Sequence, residues 1–332
     1  MNVKSRVKAG AVVGAAALGL GLLSSPASAD PSPATDYRQL TGVGSDTTQH
    51  VMNGLSNSTA VTNAGGKIIA SWNATGTATI TTKATGCAGI TRPNGSVLGV
   101  SALNRDLADG TGCIDFARSA LGPVDASSTD LTWIPFARDV VTYATDLGSP
   151  LPPNLTTEQL TDIYECDSTE FPNAQPLLPH SGSGTRTLWL QALGMSEADV
   201  GYCVNDDIQP NDGVQIANGS QLMPYSVAQW ISQGKGFADV PNRRGQSRVR
   251  SINGFAPITG TGPALALNTN FDAKYLHDVY NVVPTENLSD AVITETFLRS
   301  NSKVCRDIDT IQAYGFGVIT RWCGDTTLKG ER

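Results

Sequence analysis

Histidine and charged side chains are scarce in this 332-residue chain. It has three histidines, and charged residues make up 16% of the sequence, against roughly a quarter in an average soluble protein. The cysteines form neither a CxxC pair nor a cluster with histidine, so the ligand spacing of a zinc site is missing. The histidines are scattered, which leaves little material for histidine-based catalysis. We therefore expect no metal and no other cofactor.

Signatures of nucleotide binding and lipid anchoring are also missing. The sequence has no GxxxxGK[ST] motif, and Ser183 does not lie in a GxSxG elbow because Ser181 occupies the first glycine position. No cysteine follows the N-terminal apolar stretch, so there is no site for lipid attachment. No later stretch reaches the ~18 uninterrupted apolar residues of a membrane span. We therefore expect no transmembrane segment.

The N-terminus has the pattern of a secretory signal peptide. Three basic residues lie among the first eight, an apolar stretch runs from Ala9 to Leu23, and the small residues Ala27 to Ala29 form an A-x-A cleavage site. We interpret residues 1–29 as the signal peptide and Asp30 as the mature start. The protein is expected to be secreted, and to be retained at the cell wall or in a periplasm if the host envelope provides one.

The mature chain is acidic. Removing the three basic leader residues from the net charge of −7 leaves about −10. Phosphate backbones need a basic face, and the densest basic run, Asn242 to Arg250, is short. We interpret this run as a solvated loop or a strand edge, and we exclude nucleic acid as a partner.

An even number of cysteines in an exported protein predicts disulfides. Their spacing favours pairing in sequential order, which is one of 15 possible connectivities. The predicted pairs are Cys87–Cys113, Cys166–Cys203 and Cys305–Cys323.

Two glycine- and hydroxyl-rich segments each lead into a run with helical character. The first cradle is Gly42 to Thr48 (GVGSDTT), and the second is Ser181 to Arg186 (SGSGTR). A helix start carries about four free N–H groups and roughly half a positive charge, so each segment can hold an anion. Each also fits a plain helix cap, and Asp46 in particular fits a capping role. Two cradles brought face to face would bind one small anion from both sides.

The rest of the chain alternates between apolar runs typical of strands and runs typical of helices, which predicts an α/β fold. The prolines at 150, 152 and 153 indicate a crossing into a second domain. Thr156 and Gln159 form a potential capping box. The segments that we interpret are strands at Lys67–Trp72, Ser96–Val100 and Trp133–Tyr143, helices at Val51–Leu55, Leu155–Tyr164 and Asp290–Arg299, a turn at Gly254–Pro263, and a return crossing at Lys274–Val283.

Four segments, in this order and spacing, resemble the phosphate-binding, type 2 periplasmic-binding-protein-like family, the solute receptors of ABC phosphate importers. They are Gly42–Thr48, Asp115–Ala120, Leu155–Tyr164 and Gly182–Thr185. The resemblance runs from about Leu40 to Cys323, and the last two segments are its most specific part. It implies a two-lobed fold with a hinge and a ligand cleft between the lobes.

The resemblance also implies lobe bounds and ligand contacts. Lobe one would comprise residues 30–147 and 275–332, and lobe two residues 148–274. Pro224 to Gln229 would pack behind the cleft. Carried over position by position, the ligand-binding residues are Ser45, Asp46, Thr47, Thr75, Arg118, Ser119, Ser183, Gly184 and Thr185.

Two positions depart from the family pattern. The family has an aspartate where this chain has Ala120, and transporter members have an arginine where this chain has Pro179. Arg118 or Arg186 would then replace the missing cation, and Asp46 the missing acceptor. A plainer interpretation pairs Arg118 with Asp115, and likewise Arg138 with Asp139, near the surface.

These features predict a solute-binding protein, not an enzyme, that holds a small oxyanion, with phosphate favoured, for uptake or scavenging. An ABC permease is an expected partner, and a monomer is the expected state. Another oxyanion or a phosphorylated small molecule is an alternative ligand. A secreted interaction protein that no longer binds phosphate is an alternative function. The enzyme alternative makes Ser183 or Thr185 a nucleophile with His180 as its base, although no acid is evident to orient that histidine.

Overall fold

The computed structural model describes residues 30–332, and the predicted signal peptide lies outside this range. The described residues form seventeen strands: β1 Leu40–Gly44, β2 Thr62–Asn63, β3 Gly66–Lys67, β4 Ile69–Ser71, β5 Thr79–Ile80, β6 Ile90–Thr91, β7 Phe116–Ser119, β8 Leu131–Asp146, β9 Asn154–Leu155, β10 Gln175–Pro179, β11 Asn205–Ile208, β12 Gln221–Ser226, β13 Ser247–Val249, β14 Ser251–Ile252, β15 Ile258–Thr259, β16 Ala266–Leu267 and β17 Leu276–Pro284.

Helices lie between these strands, as the predicted α/β class requires. The described chain has eight α-helices: α1 Gln49–Asn57, α2 Ser96–Asp109, α3 Thr157–Glu165, α4 Gly184–Leu193, α5 Val227–Gln233, α6 Ala291–Phe297, α7 Lys303–Arg306 and α8 Ile308–Ala313. Short 3₁₀ turns occur at Glu197–Asp199, Gly213–Gln215, Gly262–Ala264 and Thr285–Ser289. No helix in residues 30–332 is long and apolar enough to cross a membrane.

One large sheet runs through the molecule in the order β11-β10-β12-β8-β17-β7-β1-β4, with β13 also paired to β8. The three strands at each end of this order are parallel to one another. Parallel strands need crossover connections, which the helices supply. The first cradle begins in the last three residues of β1, and the second begins shortly after β10, so each cradle lies at the end of a parallel strand.

The long strands β8 and β17 join the two halves of the sheet. Residues 131–140 of β8 pair antiparallel with β17, whereas residues 141–145 pair with β12. A single strand therefore belongs to both halves. It is buried over most of its length, and the sequence of Trp133–Tyr143 predicts a mostly buried strand.

The predicted strand at Ser96–Val100 is wrong, because these residues begin helix α2. The buried residues of α2 are Ser96, Gly99, Val100 and Leu103, which is helical spacing over a longer window than the short apolar run. Gly99 lets the helix approach the sheet, since a Cβ there would lie 2.5 Å from the Cα of Gly44.

Several local predictions are confirmed. Helix α3 has the capping box, with Thr156 accepting from the Gln159 amide and Gln159 accepting from the Thr156 amide. The helix predicted at Asp290–Arg299 is α6, which runs from Ala291 to Phe297, and Asp290 caps it through the amides of Val292 and Ile293. The disulfides Cys87–Cys113, Cys166–Cys203 and Cys305–Cys323 are those expected from sequential pairing.

Candidate functional site

The first cradle turns sharply from β1 into α1. Gly44 has φ +113°, and a Cβ there would lie 2.7 Å from the carbonyl oxygen of Arg118, so the turn requires glycine. Thr48 precedes the helix without capping it, and its Oγ1 is buried with no hydrogen-bond partner among residues 30–332. None of those residues accepts from the amides of Asp46, Thr47 or Thr48. The first cradle therefore presents several buried donors that the fold leaves open.

The second cradle has a capped helix start. Ser183 Oγ accepts from the Arg186 amide at 3.4 Å, and the Ser183 amide donates to the His180 carbonyl. The amides of Gly184 and Thr185 donate to no acceptor in the described chain. Both residues are buried. Buried amides normally find a partner in protein, solvent or ligand.

The two cradles face one another, as a two-sided clamp requires. Thr47 Oγ1 and Thr185 Oγ1 lie 3.3 Å apart and are both buried. The second cradle also packs closely against the start of α2 and against Ala120. A Cβ at Gly184 would lie 2.4 Å from Ser96 Oγ and 3.5 Å from the Cβ of Ala120. The small side chain at Ala120 thus lies against the second cradle, where the family pattern has an aspartate.

Two side chains from the half of the molecule that contains β10–β12 also bond directly to the first cradle. One follows β11 and the other lies on α5. Asn211 Nδ2 donates to Asp46 Oδ2 at 3.1 Å, and Gln229 Nε2 donates to the Thr47 carbonyl at 2.6 Å. His50 Nδ1 lies 2.8 Å from Gln229 Oε1. These contacts show that Gln229, at the end of the Pro224–Gln229 segment, lies at the first cradle.

Asp46 is an acid buried at the meeting point of the cradles. Burial raises its pKa to about 6, opposed by the hydrogen bond from Asn211 and by the charges of Arg243, His180 and Arg118. The expectation that Asp46 caps α1 is wrong, since Oδ2 bonds to Asn211 and the helix start has no side-chain cap. Burial lowers the pKa of neighbouring His50 to about 4, so this histidine is neutral near neutral pH.

Arg118 holds the strand ends together beneath the first cradle. It is fully buried, and its guanidinium donates to four backbone carbonyls and to Ser71 Oγ at 2.7–3.3 Å. The expected surface pair with Asp115 is wrong, because Asp115 pairs with Lys83 and accepts from the Thr41 amide. Because its donors bond to the protein, Arg118 holds the backbone of the first cradle in position and has no donor left for a ligand.

Arg186 and Arg138 are likewise engaged elsewhere. Arg186 bonds to Glu197, to Asp206 and to the Pro179 carbonyl. The expected Arg138–Asp139 pair is wrong, since Arg138 pairs with Asp278 at 2.8 Å. Neither Arg118 nor Arg186 therefore offers a free fork to replace the family's arginine at Pro179.

Arg243 is a cationic residue at the cleft that the sequence analysis missed. Its Nη2 lies 3.4 Å from Thr75 Oγ1, and no carboxylate of residues 30–332 lies within 4.0 Å of it. Its charge lowers the pKa values of Asp46 and His50. The signal was the basic run itself, whose short length favoured a solvated loop.

The remaining predicted site residues occupy different settings. Ser45 is buried and its amide donates to the Arg118 carbonyl. Ser119 Oγ is turned back onto Leu121, donating to its carbonyl and accepting from its amide. The structure thus brings Ser45, Asp46, Thr47, Ser183, Gly184 and Thr185 together, while Ser119 bonds within its own loop and Thr75 lies at the edge beside Arg243.

The hydroxyl of Ser183 is not part of a nucleophile–base pair in the described chain. It accepts from the helix start, while His180 Nδ1 lies 2.8 Å from the Ser181 carbonyl. His180 Nε2 is buried with no partner in residues 30–332. A serine nucleophile needs a base within hydrogen-bond reach, and this geometry does not provide one.

No family model and no curated protein sequence matches the chain. Solved structures do match. An ABC-type phosphate transport receptor from Vibrio cholerae has a TM-score of 0.55 and 16% identity, covering 84% of this chain and 100% of its own. A putative phosphate ABC transporter substrate-binding protein with bound phosphate from Clostridium perfringens has a TM-score of 0.51 and 14% identity, covering 84% and 99%. A phosphate-binding protein from Stenotrophomonas maltophilia has a TM-score of 0.50 and 13% identity, covering 85% and 91%.

These similarities confirm the predicted fold class. The chain has the two-lobed, type 2 periplasmic-binding-protein-like α/β fold of the phosphate receptors. At this level of identity the likeness concerns the fold, so function has to be argued from the site.

Proposed function

We propose that the protein is an exported solute-binding protein that holds one small oxyanion, with inorganic phosphate as the leading ligand, between the two cradles for uptake or scavenging. The observation that carries the proposal is the meeting of two helix starts with buried, unused amides, joined by the 3.3 Å contact between Thr47 and Thr185. Oriented N–H groups at helix starts favour an anion even in an acidic protein.

Binding requires the two halves to separate and close again. An anion between the hydroxyls of Thr47 and Thr185 needs more than their present 3.3 Å separation. We assign the moving bodies to residues 30–147 with 275–332 and to residues 148–274. The hinge would lie where β8 changes its partner from β17 to β12. The Gln229 and Asn211 contacts would then form on closure around the ligand.

The choice of ligand would depend on neutral hydrogen-bond donors, one acid and one cation at the edge of the site. Amides and hydroxyls would bind the oxyanion, while Arg243 would attract it. When ionised, Asp46 can accept the proton of hydrogen phosphate but repels sulfate, which carries no proton at neutral pH. Asp46 would thereby take over the acceptor role lost at Ala120.

The receptor role has no chemical step, which fits the absence of a Ser183–His180 pair in the described residues. The partner would be an ABC permease, and the protein would act outside the cytoplasm as a monomer. The three disulfides fit an oxidising compartment.

A second function is favoured by two observations. Thr47 already contacts Thr185, and the family's charged residues are replaced at Ala120 and Pro179. A protein on the same fold, held closed by these contacts, would serve as a secreted interaction or cell-wall-associated protein that binds no phosphate.

Isothermal titration calorimetry with phosphate and sulfate distinguishes the two functions. The purified protein is first unfolded and refolded to remove carried-over ligand. We expect one-to-one phosphate binding that Thr185→Val weakens at least about tenfold, the loss expected for a hydroxyl donor to a charged group. Thr187→Val is the matched control, because it removes a hydroxyl from the same helix that bonds only to the Ser183 carbonyl, at 3.4 Å. Heat with neither anion would reject the receptor proposal and favour the second function.

A further inference from the structure

A second cationic site lies at the opposite end of α1 from the first cradle. A cavity of about 460 Å³ is bounded by Ala60, the end of α6, the 298–302 loop and α7. Ala60 follows the last turn of α1, whereas the first cradle precedes its start. The length of nine helical residues, about 13 Å, therefore separates the cavity from the cleft.

Three cationic residues line this cavity. They are Arg299, Lys303 and Arg306, within eight residues of sequence. Lys303 is balanced by Glu295 at 3.5 Å, and Glu295 also accepts from Asn63. In the described chain, no carboxylate lies within 4.0 Å of the Arg299 or Arg306 guanidinium, and neither guanidinium donates a hydrogen bond. Two exposed arginine side chains without a carboxylate partner among residues 30–332 therefore border the same cavity.

The backbone that carries these residues is well fixed. Arg299 has φ +69°, its amide donates to the Gly324 carbonyl at 2.7 Å, and its carbonyl accepts from Ser302. The Cys305–Cys323 disulfide joins α7 to the same C-terminal segment. Arg299 therefore lies on a loop that is fixed by hydrogen bonds, and Lys303 and Arg306 lie on a helix that is fixed by a disulfide.

The chemistry of the lining favours a multiply charged ligand. Guanidinium forks bind phosphoryl groups through paired hydrogen bonds, and each phosphoryl group carries up to two charges. Asn301, Ser302 and Thr294 add neutral polar groups to the wall. The cavity volume lies in the range of small-molecule sites and exceeds what one orthophosphate fills.

We propose that this cavity is a second anion site, independent of the cleft, that binds a small molecule carrying two or more phosphoryl groups. The guanidinium groups of Arg299 and Arg306 bind the phosphoryl groups. The Lys303 ammonium binds the ligand too, and either leaves Glu295 or keeps its contact with it.

The test uses a Ser183→Ala/Thr185→Val protein, in which binding in the cleft is expected to be weakened. Calorimetric titration with tripolyphosphate at low salt should give saturable one-to-one binding. Arg299→Gln/Arg306→Gln should weaken it at least about tenfold. Arg321→Gln is the matched control, because Arg321 is exposed and outside the cavity. We expect this control to change the affinity less than about threefold, as for a distant screened charge.

Three results would overturn the proposal. They are the absence of saturable binding, equal losses in Arg321→Gln and the double variant, and citrate binding as tight as tripolyphosphate, which would assign the site to carboxylates. Both arginines are exposed, so the double variant should fold, and thermal melting checks this. If it does not fold, Arg299→Lys/Arg306→Lys keeps the charge, and the loss of the paired hydrogen bonds should still weaken binding. Failure of phosphate binding in the cleft would leave these readouts unchanged.

Discussion

The two cradles have the same backbone plan but different side-chain chemistry. Each leaves the end of a parallel strand and enters a helix with free amides. The first contains a buried acid, Asp46, and an uncapped start at Thr48. The second is neutral in its loop and capped by Ser183, with its one arginine bonded to acids away from the cleft. Both cradles can donate hydrogen bonds. Only the first contains a carboxyl group, Asp46, which repels an anion when ionised and can accept a proton from it.

We expect the two cradles to contribute differently to anion binding. A neutral cradle holds an oxyanion through geometry alone, because its donors do not change with pH. A cradle with a titratable acid discriminates between protonated and unprotonated anions. Four substitution experiments test this difference between the cradles, and the largest effect is expected at Asp46.

Asp46→Asn should stabilise the protein near neutral pH and not in acid. The pKa of Asp46 is raised from 3.8 to about 6, so the folded state binds more protons than the unfolded state between these values. Stability therefore falls as pH rises through this window. At neutral pH, removing the charge should gain up to about 3 kcal/mol, since one pKa unit corresponds to about 1.4 kcal/mol.

Urea unfolding of wild type and Asp46→Asn near pH 4 and near pH 7 measures this difference. The amide oxygen of the variant can still accept from Asn211, so packing is retained. A gain of the same size at both pH values would contradict the assignment of the buried charge to Asp46.

Gly184→Ala should weaken phosphate binding by blocking the approach of the second cradle. The added Cβ would lie 2.4 Å from Ser96 Oγ in the closed arrangement. Such overpacking costs about 1–3 kcal/mol, and the open protein escapes it. Calorimetry should show the loss, and adding Ser96→Ala should restore part of the affinity. If the double variant binds no better than Gly184→Ala, the contact with Ser96 does not limit closure.

Arg243→Gln should lower phosphate affinity about fivefold or less, because a partly exposed charge contributes about 1 kcal/mol at most. The dependence of affinity on salt should become shallower as well. Arg248→Gln is the control, since Arg248 lies on β13 and donates to the Ser247 carbonyl. Equal effects of the two substitutions would assign the loss to general electrostatics.

Thr48→Val and Ser183→Ala compare the two helix starts directly. Ser183→Ala removes a cap and should cost about 1 kcal/mol of stability. Thr48→Val removes a hydroxyl without a partner in the described residues, so the cost should stay below about 0.5 kcal/mol. Thermal unfolding without phosphate provides both values. A larger loss for Thr48→Val would show that its hydroxyl supports the fold.

Local patterns were enough to predict some elements. Thr156 and Gln159 stand three residues apart at a helix start, and this spacing alone defines the capping box that forms. The run at Trp133–Tyr143 predicts a mostly buried strand because apolar residues lie on both sides of the charged pair Arg138 and Asp139. The run at Ser96–Val100 misled because five residues do not separate a strand from the start of a helix.

Side-chain partners depended on distant residues. Arg118 follows Asp115 closely in sequence, yet its guanidinium bonds to carbonyls at positions 42, 44, 45 and 72. Asp46 stands before a helix, yet it bonds to Asn211, 165 residues away. The neighbouring sequence does not indicate the partners of Arg118 or of Asp46.

The two donor-rich turns before helices follow from the local sequence, because glycine, serine and threonine favour such turns. The contact between the turns, the positions of Gln229 and Arg243 beside them, and the partners of the other arginines depend on the tertiary structure. Contacts between residues more than 100 positions apart depend on how the sheet orders its strands, and strand order follows from packing of the whole chain.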